Sequence, residues 1–241
     1  MSWTSDPILV VDGLVKRFGG NVAVNQATLE VGRGTIVGLI GINGAGKSTL
    51  MNCIAGMYRA DEGRVEFDGQ NLIGLTPHEI AAAGIGRTFQ VPRTFERLTL
   101  IDNLMIPMLN RPESEDELIA LAEAGLAEVN LHDLKMNNGE ELSGGQQKLL
   151  ELARVMMLEP KLILLDEPFA GVNPTLCTLI TDKILQMKEA GISFLLVSHD
   201  LTSIYRLSDH IYVLNQGEVI CEGGVDDIRD DPKVVEAYLG G

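Results

Sequence analysis

Nine residues, Gly41-Ile-Asn-Gly-Ala-Gly-Lys-Ser-Thr49, restrict this chain more than any other stretch. They fit the pattern Gly-x4-Gly-Lys-Ser, and they lie where that pattern has a mechanism: after the apolar run Thr35 to Ile40, read as a strand, and before Leu50 to Ala55, read as the start of a helix. Gly41, Gly44 and Gly46 allow the tight turn that brings successive N–H groups to one point, where a helix N-terminus adds its partial positive charge and gathers phosphate oxygens. Lys47 is long enough to reach the β- and γ-phosphates of a nucleotide, and the Ser48 hydroxyl suits a Mg2+ shell completed by water and phosphate. A strand-loop-helix of this kind belongs in an α/β fold.

The flanking chain agrees. Ile8 to Val11 and Ala27 to Val31 read as short strands, with Leu14 to Gly20 carrying a turn at its paired glycines, so antiparallel sheet is expected at the N-terminus. Gly63 to Asp68 is a further strand between turn dipeptides, Thr76-Pro77 opens a helix that stops near Gly84, and Gly86 to Phe89 is a short strand. From Val91 to Leu158 the pattern turns helical. Glu115 to Asn130 has helical apolar spacing with acids in its first turn, its acidic face reading first as simple solvation. Ser143 reads as the N-cap of an amphipathic helix carrying Leu149, Leu152, Ala153 and Met156 on one face up to Pro160. Leu162 to Leu165 and Phe194 to Val197 are continuous apolar runs separated by a helix from Thr175 to about Glu189, the mark of parallel strands buried on both faces. Tyr212 to Leu214 and Val219 to Cys221 form a hairpin, and two short helices follow.

Composition excludes several functions. At 241 residues the chain is long enough for one large α/β domain or a domain with an inserted lobe, and tandem domains are not expected. A formal net charge of −15 argues against nucleic acid as a partner and against adsorption to an anionic membrane. Cys53, Cys177 and Cys221 are far apart without metal-ligand spacing, and read as reduced cytosolic thiols. The start MSWTSDP lacks the basic character of a signal peptide, and no apolar run approaches the roughly 18 residues of a membrane-spanning helix. Any membrane role is therefore expected through a partner.

Two further segments carry chemistry. Leu162-Ile-Leu-Leu-Asp166-Glu167 ends a buried strand in two carboxylates at the crevice where parallel sheets bind ligands; Asp166 can hold Mg2+ and Glu167 can polarise an attacking water. Leu142-Ser-Gly-Gly-Gln146 opens a helix and offers a second anion site, one more than a single nucleotide requires.

In order and over essentially its whole length, the sequence resembles the ATP-binding subunit of an ABC (ATP-binding cassette) transporter. The matching segments are the Walker A loop at Gly41 to Ser48, the Gln90 loop, the signature at Leu142 to Gln146, Walker B at Leu162 to Asp166 with Glu167, and the switch His199. The resemblance implies a P-loop NTPase fold with a mainly parallel core sheet, an N-terminal antiparallel β subdomain and an inserted α-helical subdomain. Residues 1–91 and 159–241 would form the catalytic lobe and 92–158 the helical signature lobe. It implies ATP and Mg2+ as ligands. Gly41, Asn43, Gly44, Ala45, Gly46, Lys47, Ser48 and Thr49 would cradle the phosphates, while Ser48, Gln90 and Asp166 would hold the metal. Glu167 and His199 would be catalytic, His199 contacting the γ-phosphate. Phe18, otherwise a core aromatic, would stack on adenine, where relatives usually have tyrosine. The second anion site is explained by head-to-tail dimers: Ser143, Gly144, Gly145 and Gln146 would meet nucleotide held by the opposite subunit, either a second copy or a related ATP-binding chain. A membrane permease, received around Gln90 to Leu104, and a solute-binding protein are the further implied partners, which places the chain on the cytoplasmic side of the membrane.

Departures from the family pattern are Ile42 in place of proline and Asn173 in place of aspartate. Outside the ATP segments, Arg87-Thr-Phe-Gln90, Phe95, Leu98 to Leu104, Gly217 to Gly223 and Val235 to Gly240 look like branched-chain amino-acid importers. A plain signature without tyrosine and a shorter lobe depart from that group. The ATP-binding subunit of the lipopolysaccharide exporter is the competing resemblance, and a non-transport ABC ATPase is a different class that the acidic charge disfavours.

Overall fold

The computed structural model describes residues 3–239; Met1, Ser2, Gly240 and Gly241 lie outside, Gly240 being the last residue of the C-terminal segment singled out above. Two sheets organise the chain. β1 (Pro7–Phe18) and β2 (Asn21–Gly32) form an antiparallel hairpin that β4 (Glu62–Phe67) and β5 (Gln70–Asn71) extend in the order β2-β1-β4-β5. Both hairpin strands are much longer than the four- and five-residue cores read from sequence, because the ladder continues to Phe18 opposite Asn21 and turns only at Gly19-Gly20. Gly13 (φ 58°) and Gln26 (φ 53°) sit beside register shifts at Leu14. Such bulges break the two-residue alternation by which one long strand is recognised.

The second sheet consists of β3 (Ile36–Ile40), β6 (Ile85–Arg87), β7 (Leu162–Asp166), β8 (Ser193–Val197), β9 (His210–Asn215) and β10 (Glu218–Gly223), in the order β10-β9-β3-β8-β7-β6. All its pairings are parallel except the β9–β10 hairpin. That hairpin turns on Gln216 (φ 47°) and Gly217 (φ 86°), the two positive φ values a tight two-residue turn needs. β6 is shorter than expected and ends at Arg87, which leaves Phe89 and Gln90 in a loop.

Every residue of β3, β7 and β8 is buried, and alternate residues serve opposite cores. Ile36, Ile40, Ile163, Leu165, Phe194 and Leu196 pack with the helices α3 (Leu100–Met105), α4 (Glu115–Glu128), α5 (Gly144–Met156), α6 (Pro174–Glu189) and α7 (Leu201–Leu207). Val37, Leu39, Leu162, Leu164, Leu195 and Val197 pack with the first sheet, with α1 (Lys47–Ile54) and with Ile80 of α2 (Pro77–Ala83). A parallel strand covered on both faces is apolar throughout for this reason.

Helix boundaries follow local chemistry. Thr76, Ser114 and Ser143 cap α2, α4 and α5 in reciprocal boxes with Glu79, Glu117 and Gln146. Asn173 caps α6, its Oδ1 accepting from Leu176 N–H at 3.0 Å. The Thr76-Pro77 helix stops at Gly84 (φ 110°) as expected. The short helices α8 (Val225–Arg229) and α9 (Pro232–Leu239) close the described chain. α5 is the expected amphipathic helix, with Leu149, Leu152 and Ala153 buried, but Lys148 and Glu151 are buried beside them, because the 89–93 loop, the end of β7 and α6 close over the helix.

Candidate functional site

The C-terminal ends of β3 and β7 open onto a cavity of about 910 Å3. Its floor is the loop between β3 and α1. Gly41 (φ 154°) passes so close to β9 that a Cβ would stand 2.1 Å from the Leu214 carbonyl oxygen, and one on Gly46 (φ 104°) would stand 2.3 Å from that of Ala23. The turn is therefore closed to other residues at both positions. Gly46 caps α1 without any side-chain bond, so the first N–H groups of the helix are left for a ligand at the cavity floor.

Asn43, Gly44, Ala45, Gly46, Lys47, Ser48 and Thr49 all line the cavity, whereas Gly41 lies behind the lining and contributes its carbonyl. That carbonyl accepts from Lys47 Nζ at 2.6 Å, and the Ile42 carbonyl accepts at 3.0 Å. The lysine is thus held within the loop that it belongs to. Burial pushes its ammonium below the ordinary lysine range, opposed by the charges of Glu167 and Asp166.

Across the cavity stand the two carboxylates that end β7. Asp166 is buried, and burial raises its carboxyl above the ordinary range in spite of the Arg87 guanidinium 3.8 Å away. Glu167 is held by its backbone: its N–H donates to the Val197 carbonyl at 2.9 Å and its own carbonyl accepts from Lys148 Nζ. At φ 50° it occupies a conformation sparsely used by non-glycine residues, and these two bonds fix it there. Its Oε2 lies 2.8 Å from His199 Nδ1 and accepts from Ser198 Oγ at 3.3 Å. His199 itself is 66 % exposed on the cavity wall.

Gln90 and Phe18 also line the cavity. Phe18 is 45 % exposed rather than a core aromatic; its ring meets Tyr58 edge-on at 5.3 Å and carries Lys16 Nζ at 5.2 Å. Ser143, Gly144, Gly145 and Gln146 do not line it. Ser143 and Gly144 face outward and a Cβ on Gly144 would meet nothing, while one on Gly145 would stand 2.6 Å from Leu176 Cδ1. Gln146 turns back on Ser143, its Oε1 accepting from Ser143 N–H at 3.0 Å.

Sequence reasoning missed part of the wall. Asn21, Val22 and Ala23 at the head of β2, Val197 and Gln216 all line the cavity. Only Gln216 had a local signal, the glycine after it. Oxygen donors suitable for Mg2+, the Ser48 hydroxyl, the Asp166 carboxylate and the Gln90 amide, surround the same space, and a hard cation fits this set. Beside the cavity, Arg87, Phe89, Arg93, Phe95, Glu151 and Arg154 border a groove of about 370 Å3. The guanidinium carbons of Arg87 and Arg93 lie 5.0 and 4.5 Å from the centre of the Phe89 ring, and that of Arg154 lies 4.7 Å from Phe95.

Comparison with known proteins matches this chain to one family. The sequence profile of the ABC transporter family covers residues 24–170, and that of the branched-chain amino acid ATP-binding cassette transporter covers residues 218–241. A probable branched-chain amino acid transport ATP-binding protein of Archaeoglobus fulgidus is 42 % identical over 245 residues, 97 % of this chain and 95 % of the relative. A high-affinity branched-chain amino acid transport ATP-binding protein of Pseudomonas aeruginosa is 40 % identical over 98 % of this chain and 99 % of its own. Among solved structures, a nucleotide-free ATP-binding cassette from an ABC transporter superposes with a TM-score of 0.89 at 37 % identity, covering 98 % of this chain and 100 % of that one. The ADP conformation of such a cassette gives 0.87 at 37 % identity, with the same coverage.

Proposed function

This chain belongs to the ABC transporter family as an ATP-hydrolysing subunit, and from that membership we propose that it drives uptake of branched-chain or related amino acids through a separate membrane permease. One observation carries the catalytic reading: the phosphate loop, buried Asp166, and Glu167 paired with His199 at 2.8 Å all face one cavity.

The loop N–H groups and Lys47 bind the β- and γ-phosphates, Lys47 exchanging its bonds to the Gly41 and Ile42 carbonyls for phosphate oxygens. Phe18 stacks on the adenine. Ser48, Asp166 and Gln90 would hold Mg2+, which would neutralise charge on the phosphates. Glu167 takes a proton from the water that attacks the γ-phosphorus in line. His199 fixes the carboxylate by its Nδ1 contact and orients toward the γ-phosphate. Ser143 and Gly144, facing away from their own cavity, complete with Gly145 the site of a second subunit in a head-to-tail dimer. The chain divides functionally into a catalytic lobe, 1–91 and 159–241, and a signature lobe, 92–158. The permease docks in the groove of Arg87, Phe89 and Phe95, which holds the subunit at the cytoplasmic face of the membrane, and a solute-binding protein delivers the amino acid on the other side.

The solute assignment rests on the similarity of the whole chain to amino-acid importers and on the C-terminal match. The test is to purify the subunit with its accompanying membrane proteins and measure ATPase rate with leucine-like amino acids and their binding protein. Stimulation is expected. A rate that ignores amino acids but rises with a lipid substrate transfers the chain to an exporter.

A further inference from the structure

Two charged side chains of the amphipathic helix α5, Lys148 and Glu151, are buried. Lys148 donates from Nζ to the carbonyl of Glu167. One turn further on, Glu151, only 4 % exposed, accepts from two backbone N–H groups of another segment: Phe89 N–H at 3.2 Å on Oε2 and Arg93 N–H at 3.0 Å on Oε1.

A carboxylate is taken out of water at a large desolvation penalty and persists only where bonds to it repay that loss. Here the two bonds span Gln90, which lies between the anchored residues and lines the nucleotide cavity, while Phe89, Arg93 and Glu151 border the neighbouring groove. The strand before this loop has ended at Arg87, and Pro92 has no N–H to offer, so the loop cannot be held by a continued ladder. Val91 is 76 % exposed and anchors nothing. After Thr88, whose N–H donates to the Leu164 carbonyl, and before Phe95, whose N–H donates to Asn103 Oδ1, Glu151 accepts from the Phe89 and Arg93 N–H groups, and Arg154 Nη1 donates to the Arg93 carbonyl at the far end of the same loop.

We propose that Glu151 is a positioning residue for hydrolysis, clamping the chain on both sides of Gln90 and so fixing how far that amide reaches into the nucleotide site. Lys148 does the equivalent for Glu167 from the preceding turn, so the helix that begins at the signature sets both a metal-binding amide and the general base. The proposal rests on the role given to Gln90 above.

The test is a double-mutant cycle on the purified transporter complex with Glu151→Gln, Gln90→Ala and the pair. Glutamine keeps the shape of Glu151 but turns one acceptor into a donor facing an N–H. Glu151→Gln is expected to lower kcat about 10- to 100-fold through misplacement, and to raise the Mg2+ concentration for half-maximal rate. Metal-free ATP affinity should stay near the parent's. In the Gln90→Ala background the same substitution should change kcat less than about twofold, since the group it positions is gone. An unchanged kcat in Glu151→Gln, or a full effect retained beside an impaired Gln90→Ala, overturns the clamp and leaves the role of Gln90 standing. A silent Gln90→Ala overturns both. If Glu151→Gln does not fold, amide exchange in the native chain decides: slow exchange at Phe89 and Arg93 beside fast exchange at Val91 supports the clamp, and fast exchange at all three refutes it.

Discussion

Glu167→Gln isolates the chemical step from the fold, for reasons that can be worked from its surroundings. The backbone at this position is fixed by the Val197 carbonyl at 2.9 Å and by Lys148, and neither contact involves the side chain. Glutamine has the same size and tolerates φ 50° no worse than glutamate, so the strained backbone is unaffected. The amide oxygen can still accept from Ser198 Oγ and His199 Nδ1. Only the charge assistance of the His199 contact is lost, and because that ring is 66 % exposed, solvent screening limits the stability loss to about 1 kcal/mol or less. The amide cannot take a proton from water, however. Loss of a positioned general base lowers a rate by about 10²- to 10⁴-fold, which is about 3 to 5 kcal/mol of barrier. The expected variant is folded, binds ATP with an affinity within a few-fold of the parent, and releases phosphate at least 100-fold more slowly. It should also accumulate an ATP-dependent dimer on size-exclusion chromatography, because the step that ends the closed state is blocked. Phosphate release within about tenfold of the parent from folded protein would refute the assignment of Glu167 as the base.

Other outcomes test the frame around the site. Asp68 accepts from Arg33 at 2.5 Å and from Lys161 at 2.6 Å, tying the turn before β3 and the residue before β7 to the end of β4. With Lys161 as the larger influence and Arg33 next, its carboxyl falls from the ordinary 3.8 to about 2. A depressed carboxyl contributes stability above its unfolded value, and loses it as pH falls through the folded one. Asp68→Asn should therefore flatten the decline in unfolding midpoint between pH 3.8 and about 2, and the difference should shrink in high salt; parallel acid profiles for the two proteins would contradict this. Asn173 works as the cap of α6, so Asn173→Asp should leave the unfolding midpoint essentially unchanged. Asn173→Ala should lose about 1 kcal/mol, or about 2 to 4 °C in a chain of this size. Equal midpoints for alanine and asparagine in thermal melts would show that the cap bond contributes nothing.

The positions of the phosphate loop, of Asp166 and Glu167 and of the helix starts at Thr76, Glu115 and Ser143 depend on interactions within a few residues: glycine sterics, capping hydroxyls, first-turn acids and the apolar run of a strand covered on both faces. Those signals lie in the sequence by itself, and the resemblance to ABC ATP-binding subunits was carried by their order. The sequence shows the hairpin β1–β2 only in fragments, because bulges at Gly13 and Gln26 interrupt the alternation that marks a strand. Asn21, Val22 and Ala23 joined the cavity wall only when that hairpin folded across the phosphate loop.

Tertiary structure alone decided the rest. Lys148 and Glu151 occupy ordinary polar positions in an amphipathic helix, and nothing adjacent in sequence says that the loop at Phe89 to Arg93, about sixty residues earlier, will close over them. The local pattern of the signature residues gives an anion site but not its direction; the fold turns Ser143 and Gly144 away from the chain's own nucleotide cavity, in line with what the family resemblance implied. Burial and direction of a polar side chain are set by what packs against it from distant sequence, and neither periodicity nor local propensity contains that information.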